Sequence, residues 1–141
     1  MTIEIADTKK LPPHSLKVIQ FILSLFLRLL AVVFFAATIL IWMQAIGIWD
    51  GPQFRFDTME PALRIYIAVM AVILPVASVG LWTTMAWGRV IWFFVMTFQS
   101  VSMVRFPDMF AWSTEVVVFH VFCLAIFTGL QISLYVIAKK E

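Results

Sequence analysis

Between Leu16 and Trp49 the chain runs for thirty-four residues with only two charges, Lys17 and Arg28. As α-helix that run is about 50 Å long at 1.5 Å per residue, well past the ~30 Å hydrocarbon core of a bilayer. A fold of 141 residues cannot bury such a helix together with the apolar runs that follow it, because a small domain leaves a large share of its surface facing water. The surplus must face lipid or another protein. The expected class is an all-α membrane protein, a four-transmembrane-helix bundle. The spans fall at about 29–49, 65–87, 90–104 and 112–138, with an N-terminal helical extension over 15–28. Residues 1–14 read as a cytoplasmic tail and 15–141 as one domain.

Composition agrees. Hydrophobic residues make up 63% and charged residues 13%, against about half and about a quarter in soluble domains. Mean hydropathy is +1.01. The 14 Phe and 6 Trp suit lipid and interfacial contact. A single cysteine, Cys123, excludes an intramolecular disulfide. The chain has no Asn, hence no N-glycosylation acceptor. Both features favour a bacterial inner membrane. A net charge of +2 implies no nucleic-acid partner. Glu4, Asp7 and the length of the apolar run argue against a cleaved signal peptide.

Charge sets the expected orientation, with the N-terminus and C-terminus cytoplasmic. That arrangement puts Lys9, Lys10, Lys17, Arg28, Arg89, Lys139 and Lys140 inside and Arg55, Arg64 and Arg105 outside, seven against three, the positive-inside bias. Asp50, Asp57, Glu60, Asp108 and Glu115 then lie outside. Turn chemistry supplies the breaks. Asp50-Gly51-Pro52 predicts the end of the first helix. Thr58 is the expected cap of the second, with Pro61 in its first turn. Trp87-Gly88-Arg89 predicts a tight inner turn, Phe106-Pro107-Asp108 ends the third helix, and Ser113 is the expected N-cap of the fourth.

The third span is short, and works if Arg89 and Arg105 snorkel to opposite interfaces. The first is too long. Within its early part Lys17, Gln20, Ser24 and Arg28 recur at three, four and four residues, one narrow polar stripe on an apolar helix. This stripe is a candidate cytoplasmic partner or lipid contact. The segment either lies flat with its apolar face in the headgroups, or projects and needs a partner to cover it. A third arrangement, with the span shifted inward, buries Arg28 at a cost that would mark a functional site.

Polar groups inside the spans are few. Ala31, Thr38 and Ala45 repeat every seven as a small-residue seam. Pro75 predicts a kink in the second helix, with Ser78 close by. His120, Thr128, Gln131 and Tyr135 share a face of the fourth helix with Cys123 at its edge, and Trp92, Met96, Gln99 and Met103 share one of the third. Counting depth along two antiparallel neighbours brings Gln99 level with Cys123, and Ser102 level with His120. Gln99, Ser102, His120 and Cys123 are therefore the candidate intramembrane polar cluster. The bland reading is interhelical hydrogen bonding at roughly 1 kcal/mol or less per bond. Haem would need a second histidine besides His120, and His14 lies in the tail. A copper site from His120, Cys123 and Met103 has suitable soft ligands, but methionine is also a common core filler. The carboxylates lie in loops, tails or, for Glu115, at the outer end of the fourth span; none lies inside the membrane, which counts against coupled transport by this chain alone. No nucleophile–base pair, Walker loop, dinucleotide fingerprint or metal motif occurs, and no cofactor is expected. Asp57 and Glu60 read as complements to a helix N-terminus.

Leu74-Pro75, Gly80-Leu81-Trp82, Trp87-Gly88, Val90-Ile91-Trp92 and Phe106-Pro107 with His120 and Cys123 resemble a family of small four-helix inner-membrane proteins of alphaproteobacteria, of unknown function. The likeness covers the second to fourth helices and implies bacterial origin and four spans. Where that family tends to carry an acid in the third helix, this chain has Phe98-Gln99-Ser100. Taken together, the residues predict a non-enzymatic small membrane subunit that stabilises or regulates a larger inner-membrane complex, with lipid and other membrane subunits as partners. The alternative is a small oligomeric transporter, channel or redox/quinone-binding protein that uses the polar cluster.

Overall fold

The structure is a computed structural model that describes residues 14–48, 56–109 and 113–139. Every regular element among them is helical: α1 (His14–Ala45), α2 (Pro61–Trp82), α3 (Ala86–Arg105), a short 3-10 turn (Pro107–Met109) and α4 (Ser113–Lys139). Helices α1, α2 and α4 are long and apolar enough to cross a membrane. Helix α3 has 20 residues, and Arg89, Gln99, Ser100, Ser102 and Arg105 dilute its apolar content.

Helix α1 is one unbroken rod of 32 residues, about 48 Å. The extension over 15–28 and the first span are therefore the same helix, and His14, expected in the tail, is its first residue. It ends at Ala45, ahead of the expected Trp49. Gly47 adopts a left-handed φ of 73°, a conformation that glycine takes without a Cβ penalty. Its N–H reaches Gln44 O at 3.2 Å, and the Ile48 N–H reaches Met43 O at 3.1 Å. Those two bonds make a Schellman cap, which satisfies the last carbonyls of the helix. The expected Asp50-Gly51-Pro52 turn lies outside the described residues.

Helix α2 opens on Pro61, whose fixed φ suits the first helical position. Its N-cap position is Glu60, with no side-chain cap bond; Thr58 is not the cap. The helix stops at Trp82, not at Trp87 as the 65–87 span implies. Thr84 takes φ 55°, and the Met85 N–H bonds Gly80 O at 3.2 Å, so the chain reverses at Thr83–Met85. Trp87-Gly88-Arg89 instead belongs to the first turns of α3. The reason lies in Gly80 and Gly88. A Cβ on Gly80 would sit 2.5 Å from Gly88 Cα, a separation open only to two glycines. This contact draws the helices together, and the turn falls midway between them.

Pro75 has no N–H to offer the carbonyl of Ala71, four residues back. The indole N–H of Trp42 donates to that carbonyl at 3.2 Å. One turn on, Ser78 Oγ donates to Ala31 O at 2.9 Å. These two bonds fix α1 and α2 as antiparallel neighbours across the most extensive interface of the bundle. The small-residue seam sits in it: Ala31 and Thr38 are buried, and Thr38 Oγ1 returns to Phe34 O at 2.8 Å. Trp92, fully buried on α3, ties the remaining helices. Phe26 of α1 meets it edge-on at 6.5 Å and Phe127 of α4 at 5.3 Å.

Helix α4 packs on α1 and α3 and exposes most of its surface. Among its described residues only His120 and Cys123 are buried. Thr128 and Tyr135, which share a sequence face with His120, point outward, and Gln131 is half-buried.

Candidate functional site

An apolar helix that buries a polar side chain must give it a partner, because no water is at hand to replace one. His120 is 2% exposed. Its Nε2 lies 2.8 Å from Gln99 Oε1, and Gln99 Nε2 donates to the Tyr66 hydroxyl at 3.3 Å. A single chain of polar contacts thus runs from α2 through α3 to α4. With the Gln99 amide set to donate to Tyr66, its oxygen faces the imidazole and can only accept. This orientation, assigned from the network, puts the proton of neutral His120 on Nε2 and leaves Nδ1 bare. That Nδ1 is buried with no hydrogen-bond partner among the described residues.

Helix ends fix the depth of the network. Tyr66 lies five residues inside α2, Gln99 six residues from the end of α3, and His120 seven residues inside α4, so each sits about 8–11 Å from its helix terminus. All three lie toward the end of the bundle that carries the α1–α2 and α3–α4 connections.

Of the four residues expected to cluster, the structure joins Gln99 and His120 directly. Cys123 is a buried free thiol one turn along α4 from His120. Ser102 is half-buried, and its hydroxyl makes no hydrogen bond among the described residues. Met103, the third soft ligand weighed for copper, is buried on α3. Among the described residues no group of three His, Cys, Asp or Glu side chains is placed to hold a metal ion. Tyr66 is the member that sequence reasoning missed. Its signal was present: a hydroxyl in the first half of the second apolar run, Ser78 being the other within α2. The phenol ring also stacks on Phe98 at 6.0 Å and 9°, which holds its hydroxyl beside Gln99.

On α1 the stripe residues Lys17, Gln20 and Arg28 are exposed and Ser24 is half-buried. Ser24 Oγ turns back to its own helix, at 2.9 Å from Gln20 O. The Arg28 guanidinium lies 5.8 Å from the centre of the Trp82 ring. Charges separate by end. Among the described residues, the end with the α2–α3 turn carries Lys17, Arg28, Arg89 and Lys139 and no acid. The opposite end carries Asp57, Glu60, Asp108 and Glu115, with Arg64 and Arg105. There Arg64 donates to the carbonyls of Asp57 and Met59 at 3.0 and 3.1 Å and stabilises the approach to α2.

Apolar helices of this length, joined at one buried polar chain and divided by charge, define a small helical protein suited to a membrane. Residues 21–138 match a family of unknown function, DUF6163, and the chain belongs to that family. No curated protein and no solved structure matches it.

Proposed function

We propose that the protein is a non-enzymatic, four-span subunit of a bacterial inner membrane that stabilises or regulates a larger membrane complex. In this reading all four helices cross the bilayer, with α3 seated by Arg89 and Arg105 at opposite interfaces. The segments before α1 and after α4 face the cytoplasm, on the basic side. The observation that carries the reading is the first two turns and more of α1. They leave Val18, Phe21, Ile22 and Leu25 exposed, Phe21 by 68%. Contiguous apolar surface of this kind needs cover, and a helix of a neighbouring subunit provides it.

The test is purification of the native complex in mild detergent, with mass spectrometry of what co-purifies. A stoichiometric partner that is lost in Leu25→Ser and Phe21→Ser, and kept in Val104→Ser at the far end of α3, supports the reading. Recovery of the same isolated chain from all of them overturns it.

A second reading, a small transporter, channel or quinone-binding protein, draws on the bare, buried Nδ1 of His120. A chromophore or quinone that co-purifies and disappears in His120→Leu would favour it.

A further inference from the structure

Arg28, Ala31, Val32 and Phe35 recur on one face of α1 at spacings of three, one and three residues. Ala31, Val32 and Phe35 form one wall of a groove of about 290 Å³, and Ser78, Val79 and Trp82 of α2 form the other. The Ser78 hydroxyl already donates to Ala31 O, so the groove offers almost wholly apolar surface. Arg28 caps it, one turn above Val32 and over the Trp82 ring. On the other flank of α2 a second apolar groove, about 300 Å³, is lined by Pro75, Val76, Val79 and Trp87. Val79 belongs to both and stands as the ridge between them. Each groove has an exposed tryptophan at the end near the α2–α3 turn, Trp82 and Trp87, and tryptophan favours the membrane–water interface.

From this geometry we infer a binding site for one anionic phospholipid, whose two acyl chains straddle Val79 and whose phosphate meets the Arg28 guanidinium. Charge selects this occupant. Arg28 is exposed, and no carboxylate among the described residues shares its end of the bundle, where Lys17, Arg89 and Lys139 also lie. Arginine recognises phosphate through paired N–H donors, and each basic group near an anionic surface adds appreciable attraction. A zwitterionic headgroup gains less, and an apolar helix seated here would leave Arg28 without an anion.

The inference rests on α1 and α2 spanning the bilayer. The full chain is therefore checked first by carbonate extraction of membranes, then purified in mixed micelles that hold equal phosphatidylglycerol and phosphatidylcholine, and retained lipid is counted by native mass spectrometry. Phosphatidylglycerol is expected to be kept over phosphatidylcholine by roughly fivefold or more, the scale of one basic residue near an anionic surface. Arg28→Gln is expected to abolish that preference. Val32→Trp fills one groove from its exposed wall and is expected to lower retention of both lipids. Arg105→Gln, at the opposite end, is expected to change neither. Equal retention of the two lipids, an unchanged preference in Arg28→Gln, or a photocrosslink from position 32 to a polypeptide instead of lipid overturns the lipid site. A chain washed out by carbonate overturns the membrane reading itself.

Discussion

Gly80 of α2 and Gly88 of α3 touch backbone to backbone, and a Cβ built on either collides with the main chain of the other. Neither atom belongs to a flexible side chain that can swing away. Gly80→Ala and Gly88→Ala are each expected to destabilise the protein by roughly 1–3 kcal/mol, the usual range for overpacking. The measurement is reversible unfolding in mixed detergent micelles. Gly129 on α4 is the contrast: a Cβ there meets nothing within 4 Å. Gly129→Ala is expected to be stabilising by about 0.5–1 kcal/mol, from helix propensity alone. Equal effects at the three sites would contradict the close approach.

Trp42 and Pro75 form a compensated pair. The proline removes the donor for Ala71 O, and the Trp42 indole supplies another at 3.2 Å. Trp42→Phe keeps an aromatic ring but leaves that carbonyl short of a donor, at an expected cost of about 1–3 kcal/mol. In a Pro75→Ala background the backbone N–H returns and serves the same carbonyl, so Trp42→Phe is expected to cost distinctly less. A double-mutant cycle measures the difference. Additive single effects would mean that Trp42 packs without serving Ala71.

Helix number and the run of the long first helix were legible in the sequence because each follows from hydropathy and length. Gln99 and His120 fall in one expected cluster, but counting from a short connection sets Gln99 level with Cys123, about one turn from the His120 it contacts. The helix ends were less legible. Gly47 caps α1 and the Gly80–Gly88 contact places the α2–α3 turn, yet each competes with a louder local signal, Asp50-Gly51-Pro52 and Trp87-Gly88-Arg89. What decides between them is a contact 8 residues apart in one case and a cap geometry in the other, and neither is encoded by residue type alone. Tyr66 escaped because its role depends on how α2 is rotated against α3. Ser102 shows the same limit in reverse: it has the right depth, but no partner within reach among the described residues.

His120 and Gln99 are expected to couple. Gln99→Leu and His120→Leu each strip one side of a 2.8 Å bond, and interhelical bonds of this kind average about 0.6 kcal/mol in membrane proteins. The double variant is expected to be less destabilised than the sum of the singles by that order, since neither buried group is then left alone. The network also sets the tautomer: nitrogen NMR of labelled histidine in micelles is expected to find Nε2 protonated and Nδ1 bare. A proton on Nδ1 would mean that the Gln99 amide is reversed, with Tyr66 then donating to its oxygen.

Helix α3 is the test of four spans. Arg89 and Arg105 lie sixteen residues apart, about 24 Å along a helix, short of a full hydrocarbon core. In the four-span arrangement both arginines extend their charged heads outward to opposite interfaces, which their long stems allow. The Gly80–Gly88 contact holds the start of α3 against the end of α2. Single-cysteine variants in a Cys123→Ala background read the result. Cysteines at positions 58 and 108 are expected to react with an impermeant maleimide added to intact cells, and one at position 84 only after the membrane is opened. Labelling of position 84 from outside would reverse the orientation, and labelling of 84 and 108 from the same side would mean that α3 does not cross.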